Sequence, residues 1–198
     1  MTALDALADM AADPEKFRAI PEAEVMAKID AAMEQRFVDC IESMKEFCAE
    51  SKKTMPPLLD VTVCNVNEVQ VAIIPITDRP RKNETSHDLL TAYGKMFGEK
   101  KVGTPFFLIM GAEAWQVVRD EDEFKQMVGK PSEQSDAQDV LTVTALSVTG
   151  KQLAWRAYVS RDTDGKVTFL GEKRMDADAK NMDNRLLGAF MLGYAATF

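Results

Sequence analysis

Histidine, cysteine and tryptophan are scarce in this 198-residue chain, which contains one histidine, three cysteines and two tryptophans. An odd number of cysteines argues against a disulfide framework, and no Cys-x-x-Cys pair or Cys/His cluster has the spacing of zinc ligands. The chain also lacks the GxxxxGK(S/T) and GxGxxG motifs of phosphate-binding loops. We therefore expect free thiols in a reducing cytoplasm, no bound metal and no cofactor.

Long hydrophobic segments are missing as well. The longest apolar stretch, residues 186–198, is interrupted by two glycines and is shorter than the roughly 20 residues that span a bilayer. Residues 1–12 contain two aspartates and no lysine or arginine, unlike the basic start of a secretory signal. We expect a protein that neither crosses a membrane nor carries an export signal.

Acidic residues outnumber basic ones by 32 to 24, which gives a net charge of −8. Such a surface repels phosphate backbones and anionic lipids, so we expect no nucleic-acid partner and no membrane partner. The charge is uneven, because residues 1–53 hold twelve acids and seven bases, whereas residues 78–101 hold six bases and four acids. The basic segment contains Arg79, Arg81 and Lys82, which predict either a solvated loop or a patch for an anion or an acidic partner.

A long amphipathic helix is predicted from Pro21 to about Lys53, with apolar residues at steps of three and four positions. It would be about 48 Å long, whereas a compact chain of this length is only about 40 Å across. The helix therefore spans the protein, breaks, or pairs with a second subunit. If it is an association arm, deletion of residues 1–53 would abolish association and leave the sheet folded.

The rest of the chain predicts strands and two further helices. The strands are predicted at 59–63, 69–74, 106–110, 114–118, 140–148, 152–160 and 167–170, and the helices at 85–98 and from Asp176 or Asp178 to 196. Gly111 and Ala112 are expected to form a hairpin turn, and Pro75 is expected at a sheet edge. Short links between strands favour antiparallel pairing.

The predicted fold class is α+β: an antiparallel sheet of about five to seven strands, with a long N-terminal helix, a middle helix and a C-terminal helix packed on it. We assign residues 1–56 to an N-terminal helical arm and residues 57–198 to the α+β domain. We expect the two to form one compact domain.

The single histidine, His87, lies between Ser86 and Asp88. Neighbouring helical residues point about 100° apart, so this run does not form a catalytic triad. Thr85 and Asp88 instead have the pattern of a capping box. The three cysteines are expected to be inert thiols. With no complete catalytic set in the sequence, we expect no catalytic residues.

A second group of residues carries a resemblance. Glu113-Ala114-Trp115 is followed by Pro131-Ser132-Glu133, Asp136 and Asp139, and then by Leu141-Thr142-Val143, Arg156 and Gly165. This pattern resembles an uncharacterised bacterial protein family in which an E-A-W element ends one strand and a P-S-E-x-x-D stretch leads into the next. The resemblance covers residues 106–171 and implies no activity.

Glu113 and Trp115 are two positions apart and share one face of their strand. With His87 and Arg156, they predict either a packed tryptophan beside an acidic loop or a ligand-binding cleft between sheet and helix. The sequence favours a non-enzymatic protein-interaction or self-associating module, with a homodimer as the favoured oligomer and the long helix or an edge strand as the interface. The alternative is a small-ligand-binding protein or an enzyme that uses this cleft.

Overall fold

The computed structural model shows an α+β fold. It describes residues 21–50, 57–65, 68–77, 85–117, 134–177 and 185–198, together with Thr2, Ala3, Asp5 and Ala12. The helices in these parts of the chain are α1 (Glu22–Glu50), α2 (Ser86–Glu99) and α3 (Arg185–Ala195). The strands are β1 (Leu58–Asn65), β2 (Glu68–Pro75), β3 (Thr104–Gln116), β4 (Gln138–Ser147), β5 (Gln152–Arg161) and β6 (Val167–Ala177).

The strands form one sheet in the order β2-β1-β3-β4-β5-β6, and every neighbouring pair is antiparallel. β1 and β2 form a hairpin at one edge, and β3 to β6 form a meander that ends at the other edge. Pro75 ends the edge strand β2, as expected of a residue that has no N–H to donate. Helix α1 covers one face of the sheet, which we call the front face, and α2 and α3 lie against the other, the back face.

The predicted hairpin at Gly111 and Ala112 is wrong, because β3 continues through both residues. Gly111 faces α1, and a Cβ atom at this position would lie 2.6 Å from Cε of Met44. The glycine therefore serves close packing between helix and strand rather than a turn.

The predicted cap at Asp176 is also wrong, because β6 extends to Ala177 and α3 begins at Arg185. The extension passes through Gly171, which has a φ of 61°, opposite an irregularity in the register of β5. A glycine in this conformation fits a β-bulge, so it does not end the strand. The other predicted cap, Asp178, lies outside the described residues.

Helix α1 is continuous over 29 residues, or about 43 Å. Its buried stripe belongs to the same hydrophobic cluster as the front-face residues of β3, β4 and β5. The stripe consists of Ile29, Ala32, Met33, Phe37, Ile41, Met44 and Cys48. The helix thus packs along the sheet over its length, and its apolar stripe is buried against its own chain.

Helices α2 and α3 pack against each other and against the back-face residues Leu59, Val61 and Leu108. The predicted capping box at the start of α2 is confirmed: Thr85 Oγ1 accepts from the Asp88 N–H, and Asp88 accepts from the Thr85 N–H. None of the described helices has both the length and the hydropathy needed to cross a membrane.

The contact between α2 and α3 depends on two glycines, and this gives a testable prediction. A Cβ atom at Gly94 would lie 1.9 Å from the Phe190 carbonyl oxygen, and one at Gly193 would lie 2.0 Å from that of Thr91. Backbone atoms cannot rotate away, so Gly94→Ala must separate the helices, and we expect it to lower the free energy of unfolding by roughly 3 kcal/mol. Chemical denaturation measures the change.

The matched control is Gly188→Ala in α3, where an added Cβ meets no atom within 4 Å. Alanine is the better helix former, so we expect this change to raise the free energy of unfolding by up to about 1 kcal/mol. Equal shifts in the same direction for the two variants would contradict the packing argument.

Candidate functional site

The structure does not bring the four predicted cleft residues together. Glu113 and Trp115 lie on the front face of β3, as their spacing predicted, and Trp115 is exposed. Arg156 alternates with the front-face residues of β5 and therefore lies on the back face. His87 is exposed in the first turn of α2, in the helical layer on that same back face. The sheet separates the two pairs, so they share no cleft.

Glu113 belongs to an ion-pair cluster beneath the end of α1. The Arg161 guanidinium binds the Glu113 carboxylate and also donates to Asp139 Oδ2 at 2.9 Å. Its Nη2 lies 3.5 Å from Sγ of Cys48. Burial, and then the Glu113 carboxylate, raise the pKa of the Cys48 thiol. A protonated, buried thiol is a poor nucleophile. The contacts of Arg161 with Glu113, Asp139 and Cys48 join the end of α1 to the sheet.

The remaining candidate sites are the predicted basic patch and any group of metal ligands. Arg79, Arg81 and Lys82 lie outside the described residues, so the patch that they predict for an anion or an acidic partner stays a prediction. Among the residues that the structure does describe, no group of three histidine, cysteine or acidic side chains is arranged to hold a metal ion.

The outer edge of β2 is a feature that the sequence indicated only as an edge. Just after β2, the Ile76 N–H donates to the Pro57 carbonyl oxygen at 2.8 Å. The even-numbered residues of β2 therefore direct their backbone N–H and C=O groups toward β1. Backbone direction alternates along a strand, and the N–H and C=O groups of Val69, Val71 and Ile73 therefore point away from the sheet. No strand in the described parts of the chain pairs with this edge.

The same odd-numbered side chains lie on the front face, where Val69 packs at the margin of the front-face cluster and Val71 and Ile73 stay exposed. Helix α1 packs chiefly over β3 and β4 and leaves the front of β2 open. Ile73 is accordingly 61% exposed and Val71 is 37% exposed, and Phe47 on the near side of α1 is 48% exposed. The open edge and these three apolar side chains together form what we call the β2 surface.

A groove runs between α1 and the β1–β2 hairpin, with a volume of about 170 Å³. Its walls are mostly apolar. The helix contributes Arg36, Asp39, Cys40, Ser43, Met44 and Phe47, and the hairpin contributes Leu58, Asp60 and Ile73.

The groove contains an ion pair between Arg36 and Asp60. The Asp60 side chain is only 6% exposed, and that of Arg36 is 24% exposed. Arg36 Nη2 donates to Asp60 Oδ2, but Arg36 Nε, Asp60 Oδ1 and Oγ1 of the neighbouring Thr62 are buried without a hydrogen-bond partner among the described residues. Burial raises the pKa of the Asp60 carboxyl, while the hydrogen bond and charge of Arg36 act in the opposite direction.

Cys40 lies in the groove and is half-buried. Burial and then the Asp60 carboxylate raise the pKa of its thiol to about 11. The thiol therefore stays protonated at neutral pH and acts as part of an apolar wall, in line with the inert cysteines expected from the sequence.

Sequence reasoning missed the groove. Asp60 alternates with Leu59 and Val61, which is the pattern of a residue on a solvent-facing side. A second stripe on α1, formed by Arg36, Cys40, Ser43 and Phe47 at steps of three and four, was the available signal. This stripe can be assigned to a groove wall only once the position of the β1–β2 hairpin beside α1 is known.

Comparison with protein-family models, curated protein sequences and solved structures finds no match to this chain. The resemblance to the bacterial family with the E-A-W and P-S-E-x-x-D elements stays a prediction. Its first element lies at the end of β3, and residues 131–133 of the second lie outside the described residues. The features of the described residues that point to a function are the β2 surface and the groove.

Proposed function

We propose that the protein is a non-enzymatic, self-associating interaction module that forms a homodimer by pairing β2 with β2 of a second copy. The observation that carries the proposal is the uncharged, apolar outer edge of β2, with its outward N–H and C=O groups. Such an edge is a template for another strand, and monomeric proteins usually protect it. The proposed location is the cytoplasm, which the free thiols of Cys40 and Cys48 support.

The two edges of the sheet differ in a way that favours β2. β6 has a bulge at Gly171 and then the charged run Glu172, Lys173 and Arg174, which are features that block edge-to-edge pairing. β2 has no charged residue from Val69 to Pro75. The outer edge of β2 can therefore pair with another strand without placing charged side chains next to each other.

The long helix is a weaker candidate for the interface. Its apolar stripe is buried against the sheet, so a partner helix would have to displace the core. Of the two interfaces that the sequence left open, the geometry favours the edge strand.

A second copy fits this edge by symmetry. Pairing of two β2 strands about a two-fold axis at Val71 places Val71 opposite its counterpart and Ile73 opposite Val69 of the other copy. All three residues direct their backbone groups outward, so the pair forms about six hydrogen bonds. Because a chain with a net charge of −8 repels its own copies, an uncharged strand is the suitable place for contact.

Size-exclusion chromatography with light scattering tests the proposal. We expect twice the 22.0 kDa chain mass at micromolar concentrations, and the mass of one chain for Val71→Lys, because the two introduced ammonium groups would face each other across the axis. The matched control is Leu170→Lys, a change at an exposed residue of the opposite edge strand, which we expect to leave the dimer intact. A single-chain mass for the unaltered protein, or an unchanged dimer in Val71→Lys, would overturn the proposal.

Amide hydrogen exchange gives an independent measurement at the same edge. In a dimer paired as proposed, the amides of Val69, Val71 and Ile73 are protected, and in Val71→Lys they exchange faster by at least tenfold. The amides of Gln70 and Ala72 face β1 and should stay protected in both. Rapid exchange at the three odd positions in the unaltered protein would place the interface elsewhere.

A further inference from the structure

We infer that the groove between α1 and the β1–β2 hairpin binds a small, uncharged amphiphile: an apolar body of a few carbons that ends in a primary carboxamide. The inference goes beyond self-association and rests on different observations. These are the shape of the groove and the hydrogen-bonding atoms left unpartnered beside it.

The groove walls fit an apolar body. Met44 and Phe47 from the helix face Leu58 and Ile73 from the hairpin. A volume of about 170 Å³ is below the 300–1,000 Å³ of sites for drug-sized ligands. The occupant is therefore a small molecule rather than a folded segment of another protein.

The polar end of the ligand follows from the atoms at the ion pair. Asp60 Oδ1 is an unpartnered acceptor and Arg36 Nε–H is an unpartnered donor. Buried polar atoms are nearly always hydrogen-bonded in native proteins, so such a pair marks a place for a complementary group. A primary carboxamide supplies both halves, since its NH₂ donates to the carboxylate and its C=O accepts from the guanidinium.

Access to these atoms requires a small side-chain movement. Both atoms are buried, while the Arg36 side chain is 24% exposed and both residues line the groove. The inferred binding therefore includes a small shift of the Arg36 side chain that opens the inner end of the groove to the carboxamide. Rotamer changes of surface side chains are common when proteins bind their partners.

The charges at the groove select an uncharged head group. The Arg36–Asp60 pair is neutral as a whole, and the carboxylate of Asp39 also lines the groove. A carboxylate ligand would meet both acidic side chains, and an ammonium ligand would meet the guanidinium. Neither would satisfy both unpartnered atoms, because a carboxylate only accepts hydrogen bonds and an ammonium only donates them.

Titration with three compounds of matched chain length tests the inference. Hexanamide, hexanoate and hexylammonium are added to the full-length protein at neutral pH, and binding is followed by the amide chemical shifts of α1 and β1. We expect saturable binding of hexanamide at least tenfold tighter than that of the two ions, with shifts centred on Arg36 and Asp60. No saturable binding of hexanamide, or equal binding of all three, would overturn the inference.

Two variants localise the binding. Ser43 is an exposed residue that lines the groove, so Ser43→Phe should obstruct it and weaken hexanamide binding at least tenfold. Ala49→Phe adds the same ring to an exposed position about 120° further round the helix, and it should leave the affinity unchanged. Equal effects of the two variants would place the ligand elsewhere.

A charge change gives a second, independent readout. Asp60→Asn removes the carboxylate and leaves the Arg36 guanidinium unbalanced, so we expect the preference to shift from hexanamide toward hexanoate by at least tenfold. Val71→Lys does not alter a groove residue, and it should retain hexanamide binding even as a monomer. An unchanged order of affinities in a folded Asp60→Asn protein would contradict the role assigned to the ion pair.

Discussion

Replacement of Arg36 by methionine is expected to lower the free energy of unfolding by about 3–5 kcal/mol at neutral pH. The change leaves the Asp60 carboxylate without its ionic partner although its residue is only 4% exposed. An unpaired buried charge is among the most destabilising features of a protein interior, and removal of one partner of a buried pair has effects of this size. Equilibrium denaturation with urea, in the Arg36→Met variant and the unaltered protein, measures the difference.

The loss should depend on pH with a definite sign. Burial raises the pKa of the Asp60 carboxyl in the folded state above its ordinary value of 3.8, and Arg36 opposes that increase. A carboxyl with a raised folded pKa reduces stability as the pH rises from the unfolded pKa toward the folded one. Without Arg36 the folded pKa is higher still, so this window extends upward. The difference between the two proteins should be largest at neutral pH and smallest below about pH 3, where the Asp60 carboxyl is protonated in the folded and unfolded states of both proteins.

Two further variants complete this experiment. Replacement of both partners, with Arg36→Met and Asp60→Val together, should recover most of the loss, because no buried charge remains. The control is Lys95→Met, which removes one partner of an exposed pair with Glu99 and should change stability by less than about 1 kcal/mol. A small, pH-independent loss in Arg36→Met would show that water reaches Asp60 and that the pair is not buried in solution.

Removal of residues 1–56 is expected to abolish folding of the remaining chain. The deletion exposes the front-face residues Phe107, Ile109 and Leu141, all of which are fully buried beneath α1. Burial of one such side chain contributes about 1.5–3 kcal/mol, so exposure of these three alone removes about 4.5–9 kcal/mol, which is comparable with the 5–15 kcal/mol by which domains are usually stable. We expect no cooperative thermal transition and no dispersed amide spectrum for residues 57–198.

Single substitutions in α1 distinguish the effect of lost packing from the effect of a shortened chain. Phe37 is fully buried and Val38 is 46% exposed. Phe37→Ala should lower the free energy of unfolding by about 3–5 kcal/mol, and Val38→Ala by less than about 0.5 kcal/mol. A folded fragment 57–198, or equal effects of these two substitutions, would instead support a detachable helical arm.

Local sequence patterns were enough to predict most elements of the fold. The three- and four-residue spacing in α1, the capping box at Thr85 and Asp88, and the alternation in β4 and β5 all depend on neighbours along the chain. Each was found close to its predicted position. The prediction was wrong at Gly111, because a glycine permits both a turn and close packing, and only the opposing surface distinguishes the two.

The candidate sites were predicted far less well. Glu113, Trp115, Arg156 and His87 were grouped because their residue types suit chemistry. Alternation along a single strand relates Glu113 to Trp115, but it does not show that Arg156, two strands away, lies on the opposite face. The groove shows the same limit, since Arg36 and Asp60 are 24 positions apart and meet only through the packing of α1 beside the hairpin.

The sequence by itself determined the scarcity of reactive side chains, the acidic balance, the amphipathic helix and the alternating strands, because composition and short-range periodicity are properties of neighbours along the chain. The tertiary structure alone decided which surfaces are left uncovered. Helix α1 lies over β3 and β4, so its apolar stripe is buried within the chain while the front of β2 stays open. That offset of one helix across the sheet creates both the exposed edge and the groove, and it arises from contacts between residues that are distant in sequence.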